Sequence, residues 1–193
     1  MTFESDKKKY LAELYKPDKS KKGNVDVEIT HVIDAINKKE NFYTTSSCAG
    51  RISIIKIPKS GRKDEAEWFF VSHAEIKFDE LKDALKKVSE TKEAVWFREE
   101  APILHICART IEDAQKITNI AKQSGFKRSG IMSTKKRFMV EMTSTEFLDT
   151  IIAKEGNVIV TEDYIKILAA ESNKKLRRAR QKLERFFEGL KKI

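Results

Sequence analysis

No two glycines in this sequence are separated by a single residue, so the phosphate-binding turn of a Rossmann unit is missing. No G-x-x-x-x-G-K-[ST] run occurs, which excludes a P-loop, and H-E-x-x-H, G-x-S-x-G and the kinase signatures are also absent. Cysteine is scarce: Cys48 and Cys107 build neither a disulfide framework nor a C-x-x-C pair, and reduced thiols are expected. Cys48 and Arg51 stand too close together for a cysteine-phosphatase loop. There is no run of eighteen apolar residues and no signal-peptide core near Met1, so no membrane contact and a cytoplasmic location are expected.

Charge is what the chain has in excess. Charged residues make up 36% of 193, hydrophobic residues only 40%, and the formal charge is +9. The positive charge gathers at the ends: residues 161–193 hold ten Lys/Arg against five Asp/Glu, and residues 1–23 hold seven against four. That distribution suits a polyanion such as RNA, and the alternative is solvation of exposed helices. The length suits one domain, 1–193, with a long basic C-terminal helix over 161–193 as a peripheral element.

Periodicity places helices at 3–15, 26–39, 78–90 and 111–124, the last capped by Thr110 and closed by Gly125. In the second helix, Val27, Ile33 and Ile36 are expected to turn inward. Strands are expected on both sides of Thr44–Arg51, then at 67–74, 94–98, 103–108, 128–133 and 137–143. Glu99–Pro102 reads as a linker, and Pro58–Lys63 as a basic turn between two hairpin strands. That hairpin would carry His73 toward the Thr44–Arg51 stretch. Adjacent hairpins among helices indicate an α+β fold with a mixed, largely antiparallel sheet. His105 and Cys107 alternate onto one strand face, but zinc needs four ligands and no second pair is spaced for it, so no metal is expected.

The chain is organised around Thr44–Arg51, TTSSCAGR, with four hydroxyls, a thiol, a glycine and an arginine in eight residues. So polar a run reads as a turn between strands or as a site for a small polar group. Gly50 permits positive φ or close backbone approach, and Arg51 offers a planar fork for a carboxylate or phosphate. Chemistry alone stops at an RNA-leaning protein with one Ser/Cys/Arg site.

TTSSCAGRI resembles the signature of the archaeal and eukaryotic wybutosine-synthesizing methyltransferase family, the third enzyme of that tRNA pathway. The resemblance extends, in order, through DKSKKGNVD at 18–26, WFFVSH at 68–73, VWFREEAPILHICART at 95–110, DAQKITNIAKQSGFKRSGI at 113–131 and MTSTEFLD at 142–149. One departure is Ala49, where many relatives carry serine. The resemblance, closest to an archaeal member, implies transfer of a methyl group from S-adenosylmethionine to a ring nitrogen of the tricyclic guanine beside the anticodon of phenylalanine tRNA. It also implies a non-Rossmann cofactor setting.

By the same resemblance, Ser46, Ser47, Cys48, Arg51 and His73 form the catalytic group, with Thr45, Gly50 and Arg51 on the cofactor. Arg51 would grip the cofactor carboxylate or a tRNA phosphate, and Ser46 and Ser47 the base or the amino-acid tail. His73 would accept the released proton. Cys48 would pack or hydrogen-bond weakly, since N-methylation needs no enzyme nucleophile. Asp18, Lys19, Ser20, Lys22, Asp26, Trp96, Arg177 and Arg178 are the expected RNA and substrate contacts. Phe42, Tyr43 or Trp96 would stack on a base, although aromatics in strands are more often core. Two other readings stay open: a non-catalytic RNA-binding protein of the same fold, and a small-molecule enzyme. Oligomeric state stays open as well.

Overall fold

The computed structural model describes residues 2–16, 25–62 and 65–193. Among the described residues, five α-helices and two sheets, both wholly antiparallel, make an α+β fold. The chain divides into two compact units: residues 1–49, 102–145 and 179–193 in the first, and 50–101 with 146–178 in the second. The crossing between Ala49 and Gly50 cuts the TTSSCAGR stretch in two.

The first unit begins with α1 (Phe3–Glu13), capped by the Thr2 hydroxyl accepting from the Ser5 N–H. A 3₁₀ turn, Val27–Ile29, then leads into α2 (Thr30–Asn37). The tighter 3₁₀ winding changes the phase of the apolar positions. Ile29, Val32, Ile33 and Ile36 are buried, and Val27, expected to face inward, is 84% exposed. The sheet of this unit has the order β1-β5-β7-β6, with β1 Phe42–Cys48, β5 Ile103–Ala108, β6 Gly130–Ser133 and β7 Phe138–Thr143. Leu104, Ile106, Val140 and Met142 fill one face with α2 and α4 (Ile111–Gln123). The Thr110 hydroxyl accepts the Asp113 N–H, and Gly125 ends the helix at φ 105°.

The second unit carries a five-stranded sheet in the order β3-β2-β4-β8-β9. Its strands are β2 Arg51–Lys56, β3 Glu67–Ser72, β4 Val95–Glu100, β8 Leu148–Lys154 and β9 Asn157–Val158. The expected β2–β3 hairpin is present. Glu99 and Glu100 are not a linker: they continue β4, because β2 and β8 pair with it on both sides. Strand β8 gave no sequence signal. Ile52, Ile54, Val95, Phe97 and Ile152 pack against α3 (Phe78–Lys86) through Leu81 and Ala84.

Helix α5 (Glu162–Leu190) runs through both units. Up to Arg178 it buries Ile165, Leu168, Ala169 and Leu176, and from Ala179 onward it buries Leu183, Phe186 and Leu190. The apolar stripe of α5 is therefore core along its length, and each such Leu or Phe contributes about 2 to 3 kcal/mol by burial. No helix among the described residues is long and apolar enough to cross a membrane.

Candidate functional site

The polar stretch is not a loop. Thr44–Cys48 lies inside β1, hydrogen-bonded to β5, and Arg51 starts β2. A bulge between Thr44 and Ser46 interrupts the β1–β5 register. Phe42 faces the core and Tyr43 the opposite face, so strict alternation would send Ser46 and Cys48 into the core. The extra residue, Thr45, reverses the phase. Ser46 and Cys48 thereby share the outer face with His105 and Cys107, while Ser47 turns the other way, across from Leu104.

On that outer face the Ser46 Oγ lies 2.6 Å from His105 Nδ1, and His105 Nε2 lies 3.0 Å from Glu141 Oε2. Ser46 is exposed, and His105 and Glu141 are partly so. Tyr43 and Cys107 lie farther along the face, and the rings of Phe3 and Tyr10 from α1 sit 5.1 and 5.4 Å from Tyr43. Phe42 and Tyr43 are buried, in keeping with the favoured reading of strand aromatics as core. The Thr45 hydroxyl donates to the His105 carbonyl at 3.4 Å.

In the first unit, Asp26 Oδ2 accepts the Ala49 N–H at 2.6 Å. Ala49 is fully buried in the core, so only its backbone is addressed. Arg180, one of eight Lys/Arg on α5, is singled out by its surroundings. Burial pushes its guanidinium below the usual range, and Glu28, Asp26 and Cys48 pull it back. Sequence reasoning chose Arg177 and Arg178 instead. Arg177 pairs with Glu75, and Arg178 is exposed.

In the second unit, Gly50 has φ 83°, the left-handed conformation that glycine was expected to permit. Its carbonyl lies 2.9 Å from His73 Nδ1. A carbonyl only accepts, so Nδ1 carries the hydrogen and the neutral ring keeps its lone pair on Nε2. Arg51 donates through Nε to Glu100 Oε2 at 2.5 Å, and its guanidinium lies 4.5 Å from the centre of the Trp68 ring. Trp96 packs under Arg98 at 5.6 Å. Asp18, Lys19, Ser20 and Lys22 lie outside the described residues. Neither Cys48 nor Cys107 forms a disulfide among the described residues.

A family described as Methyltransferase TYW3 matches residues 5–192. A Pyrococcus abyssi protein named tRNA(Phe) 7-((3-amino-3-carboxypropyl)-4-demethylwyosine(37)-N(4))-methyltransferase 1 is 39% identical over 90% of this chain and 89% of its own. A Thermococcus sibiricus protein named for the same N(4)-methyltransferase activity is 38% identical over 99% and 95%. The solved structure of the PH1069 protein from Pyrococcus horikoshii superposes with a TM-score of 0.87 at 37% identity, covering 98% and 96% of the two chains.

Proposed function

The chain belongs to the TYW3 methyltransferase family, and from that premise we propose that it methylates a ring nitrogen of a wybutosine precursor in phenylalanine tRNA, in the cytoplasm, with S-adenosylmethionine as donor. The observation that carries this reading is the likeness to N(4)-methyltransferases over nearly the whole chain. No structural feature favours the non-catalytic alternative.

The donor set is chemically suited to the cofactor. Its carboxylate needs N–H donors, which Gly50 and Arg51 supply, and Arg51 is held in place by Glu100 and Trp68. His73 keeps the Gly50 carbonyl fixed, so the turn is organised before any ligand arrives. When bound, S-adenosylmethionine supplies a methyl group activated on a sulfonium. Such a reaction asks the protein to align acceptor and donor, exclude water and take up one proton. Asp26 holds the Ala49 end of the stretch, and the basic residues Arg177 and Arg178 would bear on the tRNA backbone.

Titrating S-adenosylmethionine into the purified protein, with and without unmethylated tRNA, tests the reading. Loss of the Arg51 charge-assisted contacts in Arg51→Ala should weaken cofactor binding on the order of tenfold to a hundredfold while the fold persists. Affinity for tRNA should fall linearly with salt on logarithmic axes. A variant that unfolds would make Arg51 structural. A wild-type protein that binds tRNA but ignores the cofactor, even with tRNA present, would put the RNA-binding alternative ahead.

A further inference from the structure

Ser46, His105 and Glu141 stand at consecutive register positions on three neighbouring strands of the first unit. Their two hydrogen bonds join into one chain: Ser46 Oγ to His105 Nδ1 at 2.6 Å, then His105 Nε2 to Glu141 at 3.0 Å. The direction of that chain follows from donor inventory. An ionised carboxylate only accepts, so His105 Nε2 carries the hydrogen, and Nδ1 of the neutral ring must accept from the Ser46 hydroxyl. The Ser46 lone pairs then point away from His105, on an exposed side chain.

The β1 bulge is what brings Ser46 to this face, and bulges recur where a side chain has to be re-aimed. Ionisable groups on this face include Cys48 and, toward α1, Tyr10, Tyr43, Cys107 and the Asp6–Arg137 ion pair at 2.8 Å. Burial pushes both Tyr43 and Cys107 upward, which keeps them protonated near neutrality. His105, bonded to Ser46 through one ring nitrogen and to Glu141 through the other, is the group placed to receive a proton from Ser46.

We propose that Ser46, His105 and Glu141 form a proton relay for the methyl-transfer step, an inference that rests on reading the chain as an N-methyltransferase. The nitrogen–carbon bond forms as the carbon–sulfur bond breaks, with the bonding pair returning to sulfur. The proton left on the acceptor nitrogen passes to Ser46 Oγ while the Ser46 proton passes to His105 Nδ1. Glu141 then faces an imidazolium, and charge balances without any further reactant. Ser46 touches the substrate; His105 and Glu141 act through it. In this scheme His73 holds Gly50 rather than accepting the proton.

Two measurements test it. In protein labelled with ¹⁵N-histidine, with His105 assigned by its loss in His105→Gln, the neutral ring should carry its hydrogen on Nε2; a hydrogen on Nδ1 reverses the chain and overturns the relay. In single-turnover methylation of tRNA across pH, Ser46→Ala, His105→Gln and Glu141→Gln should each slow the step by about a hundredfold. In His105→Gln and Glu141→Gln cofactor and tRNA affinities should stay unchanged, the acid limb of the rate profile should vanish in His105→Gln, and Glu141→Asp should recover part of the rate. Wild-type rates in His105→Gln, lost affinity in that variant, or an acid limb that responds only to His73 substitution would each overturn it. A wild-type protein that neither binds the cofactor nor methylates overturns the methyltransferase reading itself, and is told apart by the absence of any rate to perturb.

Discussion

Glu141 and Glu99 both sit in the middle of antiparallel sheets, one in each unit, and they have opposite surroundings. Glu141 is partly exposed and accepts a hydrogen bond from His105. Glu99 on β4 is 1% exposed, and neither of its carboxylate oxygens has a hydrogen-bond partner among the described residues. Burial pushes the Glu99 carboxyl up to about 7; the Lys175 charge opposes the rise, and Glu146 and Glu100 add to it. A carboxylate with a partner and some water works as an acceptor, whereas one deprived of both becomes a weak acid that holds its proton close to neutrality. The histidines show the same logic. His73, facing a carbonyl, must donate from Nδ1, and His105, facing a carboxylate, must donate from Nε2.

The largest expected effect breaks this comparison at Glu99. Its pKa rises from 4.5 to about 7 on folding, so the folded state binds the proton more tightly than the unfolded chain does. The resulting stability is fully present below about 4.5 and is lost as pH rises to about 7, a change of about 3 kcal/mol. Glu99→Gln has no such proton to lose. Urea unfolding should show the variant gaining about 3 kcal/mol on wild type between pH 4.5 and pH 8, and a pH-independent difference would mean that Glu99 is ionised without penalty. A smaller effect is expected at Asp26, a partnered carboxylate. Asp26→Ala leaves the buried Ala49 N–H without its acceptor and should cost about 2 kcal/mol. Asp26→Asn, which keeps an acceptor oxygen, should recover about half of that loss in the same urea titration.

Much of the fold was legible because its signals are local. Thr110, Gly125 and the apolar stripe marked α4, and the β2–β3 and β6–β7 hairpins lie between adjacent strands. What escaped depends on distant partners. Thr44–Cys48 read as a turn because it is polar, yet β5, about sixty residues away, pairs with it throughout. Glu99 and Glu100 read as a linker because their partners come from both ends of the second unit. Of the candidate site, the positive φ of Gly50 was legible from residue type, whereas the contact of Asp26 with Ala49 was not. The bulge at Thr45 contains no glycine to announce it, and it decides that Ser46, not Ser47, faces His105. Arg180 could not be told from its basic neighbours on α5 until Asp26 and Glu28 were placed beside it.

The smallest effect on stability should come from Glu141, and its smallness is the point. The His105–Glu141 pair lies on a partly exposed face, with the side chains 26% and 36% accessible, so solvent screens it. Exposed pairs contribute about 0 to 1 kcal/mol, and Gln still offers an oxygen to His105 Nε2. Glu141→Gln should therefore shift urea stability by less than about 0.5 kcal/mol, at acid and at neutral pH alike. Set beside Glu99→Gln, this separates two uses of a strand carboxylate. Glu99 should govern how stability depends on pH, and Glu141 should govern rate with stability untouched. Were Glu141→Gln to destabilise the protein as much as Asp26→Ala does, the Ser46–His105–Glu141 row would be a cross-strand ladder that holds the sheet together. A silent stability measurement paired with a slowed methyl transfer leaves proton handling as the reason these three residues stand in line.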